Sequence, residues 1–189
     1  MSLPWEFAPI DAERLRLRRM RADDLDDVHA YLGRDDVATY LTHGARSREE
    51  VAAAVAEYAA ATRIAGDGDW IQPAIEVDGR VVGHLYLKLH SIRHLGAEIG
   101  WTLHPDAAGR GYATEAATAL LDVAFGDMGL HRVRAELDPR NAASVALCRR
   151  LGMREEAHHL RDFRDERIPG GWGDTGVWAI LADEWTVRP

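Results

Sequence analysis

The chain has 189 residues, with 23 Lys and Arg against 31 Asp and Glu, and a net charge of −8 that leaves no basic face for general nucleic-acid binding. Its 47% hydrophobic and 29% charged residues describe one soluble domain, residues 1–189, large enough to build a core without staples. A single cysteine excludes a disulfide framework and a cysteine-rich zinc site, and no apolar run approaches the ~20 residues that span a bilayer.

Met1–Pro9 has no basic region followed by an apolar one, so no signal peptide and a cytoplasmic location are expected. Leu15-Arg-Leu-Arg18 alternates and reads as a strand. Ala22–Gly33 reads as a helix with Asp23 and Asp24 at its start, and Val51–Ala61 as a second, with Val51, Val55, Tyr58 and Ala59 on one face. Ile71–Val77 and Val81–Leu89 are predicted strands joined by the two-residue hairpin signal Asp78-Gly79. In the second, Leu85, Leu87 and Leu89 alternate with His84, Tyr86 and Lys88, which predicts one buried face. Gly96–Leu103 continues the meander. Gly109–Phe125 is a long helix with an apolar stripe through Ala113, Ala116, Ala117, Leu120, Leu121 and Ala124. His131–Leu137 is a strand, and Ala142–Leu151 is a helix stopped by Gly152. Arg154–Leu160 and Thr175–Leu181 are final strands flanking a polar, glycine-containing loop, Arg161–Asp174. The order implies an α/β domain with a mixed sheet.

The chemistry concentrates where a strand ends at Leu103 and a helix opens after Pro105, through Gly109-Arg-Gly111-Tyr-Ala-Thr-Glu115. A first helical turn has N–H groups without intrahelical partners and a positive dipole end. Two glycines let a ligand approach the backbone, so the pattern makes an anion cradle, most naturally for phosphate. The Gly-Lys-Ser/Thr ending of a P-loop is absent, and Thr114 stands where a dinucleotide fingerprint wants a third glycine. A nucleotide-binding domain is thus a poor fit. A second motif, Asn141-Ala-Ala-Ser144 through Leu151-Gly-Met153, follows the next strand. Asn141 is suited both to capping its helix and to touching a ligand, and Ser144 falls in the first helical turn.

Together with Ala97-Glu98-Ile-Gly-Trp-Thr-Leu-His-Pro and Trp172-Gly-Asp174 through Trp185, these segments resemble the GNAT-family N-acetyltransferases. Within them, the likeness is to the branch of the ribosomal-protein N-terminal acetyltransferases RimJ and RimL. It extends over nearly the whole chain. It implies a single GNAT-like domain with a mixed, largely antiparallel sheet flanked by helices, and acetyl-CoA as co-substrate without a metal. The resemblance puts Gly109, Arg110, Gly111, Tyr112, Ala113 and Thr114 at the CoA phosphates. It puts the backbone of Trp101, Thr102 and Leu103 along the pantetheine arm, and Asn141 against it. Ala108 departs from the family's Gln or Arg, removing a side chain but not the backbone cradle. Cys148 stands where many relatives carry a tyrosine that protonates the departing thiolate.

Acetyl transfer to an amine needs a base, an N–H donor for the oxyanion and an acid for the thiolate. Glu98 is the candidate base, directly or through water, and Ser144 the candidate acid, both by likeness to the RimL-like branch. Cys148 as a covalent nucleophile is the competing assignment; a lone cysteine on an apolar helix face is more often core. The resemblance implies direct attack in a ternary complex. The resemblance places the acceptor between Asp35–Arg46 and Arg161–Asp174, and leaves open a protein N-terminus, polyamine, amino acid or aminoglycoside amine. A non-catalytic CoA-binding or regulatory module is the alternative. Three of six tryptophans fall between Trp172 and Trp185, an expected apolar surface for a homodimer.

Overall fold

The structure is a computed structural model that describes residues 4–186. Residues 1–3 and 187–189, the ends of the expected 1–189 domain and part of the Met1–Pro9 stretch, lie outside it. In chain order the elements are β1 (Trp5–Glu6), β2 (Ile10–Asp11), β3 (Arg16–Arg18), α1 (Leu25–Leu32), α2 (Asp35–Ala38), α3 (Arg48–Ala60), β4 (Arg63–Ile64), β5 (Trp70–Ile71), β6 (Ala74–Val77), β7 (Arg80–Ser91), β8 (Gly96–Leu103), α4 (Tyr112–Phe125), β9 (Arg132–Leu137), α5 (Ala142–Arg150), β10 (Arg154–Arg164), β11 (Trp172–Leu181) and α6 (Ala182–Thr186). The main sheet runs β10-β11-β9-β8-β7-β6-β3-β2, with β5 pairing β7, while β1 and β4 form a separate pair.

Every pairing in the main sheet is antiparallel except β8 with β9. That parallel pairing needs a crossover, which α4 supplies. It joins only Gly96–Glu98 to Arg132–Arg134. Beyond Glu98 the two strands part, and the opening between them positions the site.

Local chemistry accounts for several element boundaries. Asp78 and Gly79 both adopt positive φ, 50° and 77°, as a two-residue turn whose twist matches its strands requires. The start of α3 is fixed by a capping box: Ser47 Oγ accepts from Glu50 N–H, and Glu50 accepts from Ser47 N–H at 2.7 Å. Such a cap contributes about 1 kcal/mol. The end of α5 is turned by Gly152 at φ 76°, where Met153 N–H returns to Cys148 C=O.

The sheet is covered on both faces. Leu85, Leu87, Leu89, Ala97 and Ile99 pack with the stripe of α4 and with Leu147 and Cys148 of α5. Opposite them, Val28, Tyr31 and Leu32 of α1 and Val51 and Val55 of α3 form a second cluster on Ala74 and Val81. This double cover buries Arg18, which simple alternation would put in solvent. Its guanidinium bonds Asp24 at 2.7 and 2.8 Å and also pairs with Glu76. His84 is buried for the same reason.

Several expectations change. Ile71–Val77 is two strands interrupted at Pro73, which cannot donate to a ladder. The expected loop Arg161–Asp174 is mostly hairpin, because β10 and β11 continue to the pair Arg164–Trp172 past an irregularity between His159 and Phe163. The tryptophan-rich end is not an apolar surface: Trp178 and Trp185 are 5% and 6% exposed, leaving Trp172 outside at 46%. Trp185 is drawn inward by its indole N–H, which donates to Asp122 at 2.7 Å.

Candidate active site

A groove of about 900 Å³ runs along the end of β8, the glycine turn and the start of α5. Trp101, Thr102, Leu103, Gly109, Gly111, Tyr112, Ala113, Thr114, Asn141 and Ser144 all line it. Of the expected cofactor residues only Arg110 is absent from the lining; it contributes its carbonyl to the support of the turn.

Gly109 and Gly111 take φ of 74° and 83°, conformations costly for any side chain. Gly111 is the N-cap of α4, and no side chain caps that helix. The N–H groups of Tyr112, Ala113 and Thr114 therefore begin a helix, at its positive end, beside an open groove. The turn is held from behind by Arg14. Its Nε donates to Glu115 at 2.8 Å, its backbone N–H to the same carboxylate at 2.6 Å, and its NH1 to Arg110 C=O at 3.0 Å. A Cβ on Gly111 would come within 3.2 Å of this guanidinium. Glu115 is thus structural, as its place in the first turn suggests. Arg14 sits too far away in sequence to be read as its partner. Arg150 also lines the groove and bonds Thr114 Oγ1 at 3.1 Å. Arg150 thus adds a cation beside the cradle, while the charge of Arg14 is matched by Glu115.

A second cavity of about 310 Å³ occupies the gap between the parted strands. Trp101, Thr102, Asn141, Ser144, Tyr40 and Leu41 line both spaces. Ser144 stands at this shared wall, and its Oγ accepts from the Trp101 indole N–H at 3.1 Å. Asn141 caps α5, its Oδ1 accepting from Ser144 N–H at 3.1 Å. The capping role is thus met by one atom of a side chain that also faces both spaces.

Glu98 lines neither space. Its Oε2 lies 2.9 Å from His90 Nε2 and 3.3 Å from Arg134 NH2. The same guanidinium pairs with Glu136 at 3.0 Å, and Glu136 does line the second cavity. Glu136 follows from strand alternation once β8 and β9 are known to separate, but no local motif marks it. Tyr86, on the cavity wall, has its phenol pushed up to about 12 by burial, reinforced by Glu98 and Glu136. His84, also on that wall, is brought down to about 3 by burial, with the charge of Arg46 adding to it. It is neutral at physiological pH, with Nδ1 2.8 Å from the Tyr31 hydroxyl. Burial pushes the Cys148 thiol up to about 12, so it is a poor nucleophile.

Residues 14–154 match the family model described as an acetyltransferase (GNAT) domain. The chain is a GNAT acetyltransferase. It is 32% identical over 183 residues to the uncharacterised N-acetyltransferase YnaD of Bacillus subtilis (strain 168), covering 93% of this chain and 98% of that one. The crystal structure of a GNAT-family acetyltransferase from Bacillus anthracis superposes with a TM-score of 0.81 at 30% identity, over 93% of this chain and 99% of that one. The ribosomal L7/L12 alpha-N-protein acetyltransferase RimL, in complex with CoA, superposes with a TM-score of 0.76 at 18% identity, over 94% and 99% of the two chains. That last likeness speaks for the fold alone.

As a GNAT enzyme the protein is an acetyl-CoA-dependent acyltransferase. Its own residues fit that donor. The helix start left without a side-chain cap at Gly111, the positive φ of both glycines and the cation Arg150 form a cradle suited to phosphate groups. Among the described residues no helix is long and apolar enough to cross a membrane.

Proposed function

We propose that this GNAT enzyme acetylates a primary amine held in the second cavity, by direct attack in a ternary complex. The shared wall carries the reading: six residues face both the groove and the cavity, so two ligands meet at Ser144. Acetyl-CoA supplies the activated acetyl group as a thioester. Gly109–Thr114 hold its phosphates through main-chain N–H groups, and the backbone of Trp101, Thr102 and Leu103 aligns its arm. The amine nitrogen bonds to the acetyl carbon as the carbon–sulfur bond breaks, and the Ser144 hydroxyl donates a hydrogen bond that stabilises the departing thiolate, its orientation fixed by the Trp101 N–H.

The amine must lose a proton to become a nucleophile. Glu136 takes it, as the acidic residue of the cavity lining contributed by β9. Glu98 acts behind it through Arg134, which bridges the two acids. This divides between two residues the base role that the sequence gives to Glu98. Glu136 in the wall favours a cationic acceptor, while the charge of Asp138 beside it is matched by Arg140. The RimJ/RimL-like resemblance adds a protein N-terminus to the small-molecule amines. The same reading keeps the enzyme cytoplasmic and pairs two copies along the outer hairpin of β10 and β11, where Leu160 of β10 and Trp172 of β11 are exposed.

A panel of peptides with free N-termini, polyamines, amino acids and aminoglycosides, assayed with acetyl-CoA, tests this. Acetylated amine from at least one class is expected. Thioester hydrolysis unchanged by every amine would overturn the reading in favour of a CoA-binding module. A monomer by light scattering would remove the paired assembly.

A further inference from the structure

The turn between β10 and β11 carries a side chain whose bonds reach across the molecule. Arg167 NH1 donates to the carbonyls of Ala38 at 3.0 Å and His43 at 2.7 Å, and NH2 donates to that of Leu41 at 2.5 Å. Nε and NH2 also donate to the two oxygens of Asp165, at 2.9 and 2.7 Å. These bonds engage all five N–H groups of a guanidinium. Asp165 sets the orientation of the fork and is itself tied to the turn through Arg167 N–H at 2.9 Å.

The stretch being held has little structure of its own. α2 is a single turn, Asp35–Ala38, and turns and bends follow it to His43. Within the stretch, Leu41 N–H returns to Ala38 C=O, and Arg46 N–H beyond it ties back to Leu32. Yet Tyr40, Leu41 and Thr42 line the second cavity. Three carbonyls turned toward one cation fix which way the intervening side chains face. Nothing in the bonding pattern requires Arg167 to touch a ligand.

We propose that Arg167 is the positioning residue that builds the acceptor wall, fixing Tyr40, Leu41 and Thr42 and thereby deciding which amines fit. The inference rests on the acetyl-transfer reading above and adds a determinant of acceptor selection located in a different hairpin. Planarity and donor count make arginine necessary here: lysine keeps the charge but has three donors on one nitrogen and cannot serve three carbonyls and Asp165 together.

The test compares wild type with Arg167→Ala and Arg167→Lys, using the best amine from the panel. Both variants should raise KM for the amine about tenfold or more, as misplaced positioning contacts do. kcat at saturating amine should stay near wild type, and KM for acetyl-CoA should rise by clearly less than KM for the amine, because Tyr40 and Leu41 border the groove as well as the cavity while Thr42 faces the cavity alone. Hydrogen exchange across residues 38–43 should quicken in both variants, with the rest of the chain unaltered. Wild-type KM in Arg167→Lys would overturn the clasp in favour of a simple charge effect. So would equal losses for both substrates, or unchanged exchange in residues 38–43. A wild-type protein inert toward every amine would overturn the acetyl-transfer reading, and with it the selection role; unchanged exchange would additionally remove the clasp.

Discussion

The groove and the cavity beside it are built in opposite ways. The groove takes most of its lining from two short stretches, 101–115 and 141–150, and its main contribution is backbone geometry: two glycines at positive φ and a helix start without a side-chain cap. The cavity collects side chains from the α2 turn, β5–β6, β7, β8, β9 and α5, and the turn is held by a guanidinium 124 to 129 residues away in sequence. A main-chain cradle tolerates change in most side chains around it, since its donors belong to the peptide itself. A side-chain cavity changes with each residue in its wall. The same donor can therefore serve many acceptors on one fold.

The sharpest way to break this contrast is at Gly111. Gly111→Val puts a branched side chain at φ 83° and against Arg14, and CoA affinity by calorimetry should fall roughly 10–100-fold, the equivalent of 1–3 kcal/mol of backbone strain. Unchanged affinity in a folded variant would place the cradle elsewhere. At the shared wall the effect should move from binding to turnover. Ser144→Ala should lower kcat at least about tenfold with CoA affinity preserved, and Trp101→Phe, which deletes the indole donor, should cost less. Equal loss of CoA binding would make Ser144 part of the groove only. Cys148→Ala should retain most activity, and an acetyl group trapped on Cys148 would reverse the assignment of direct transfer.

The smallest effect concerns stability on the cavity side. His84 titrates near 6.5 when unfolded and near 3 in the folded chain, so below pH 6.5 the unfolded state binds the extra proton. Stability from this site is complete above about 6.5 and declines as pH falls toward 3. His84→Gln keeps a polar partner for Tyr31 and removes the titration. Its melting temperature should depend less on pH between about 4 and 6.5 than that of the wild type. Parallel profiles would show that another group carries the acid sensitivity.

The contrast also explains what the sequence reveals. Gly109, Gly111, Asn141 and Ser144 are legible because helix starts, caps and turns are local chemistry within a few residues. Asp78-Gly79 and Gly152 are legible for the same reason. Arg14 with Glu115, Glu136 with Arg134, and Arg167 with residues 38–43 are pairings across the fold, and nothing in their spacing announces them. Glu98 shows the limit clearly. Its strand and face are readable, but whether it opens onto a cavity depends on where β9 leaves β8. The late hairpin was hidden by composition: Pro169, Gly170 and Gly171 mark a turn, and their polar neighbours read as loop although they pair.

The short parallel contact between β8 and β9 has one more consequence. A sheet ordinarily has two edges, and edges are where stray chains add on and aggregate. Here the parting after Glu98 and Arg134 creates a further pair of edges inside the sheet, walled by α5 on one side and by the turn that Arg167 holds on the other. The unpaired main chain is thus recessed rather than displayed. A foreign strand must fit its side chains past those walls, whereas a slender, unbranched ligand need not. The fold keeps an unpaired stretch of main chain in its middle, away from its outer edges.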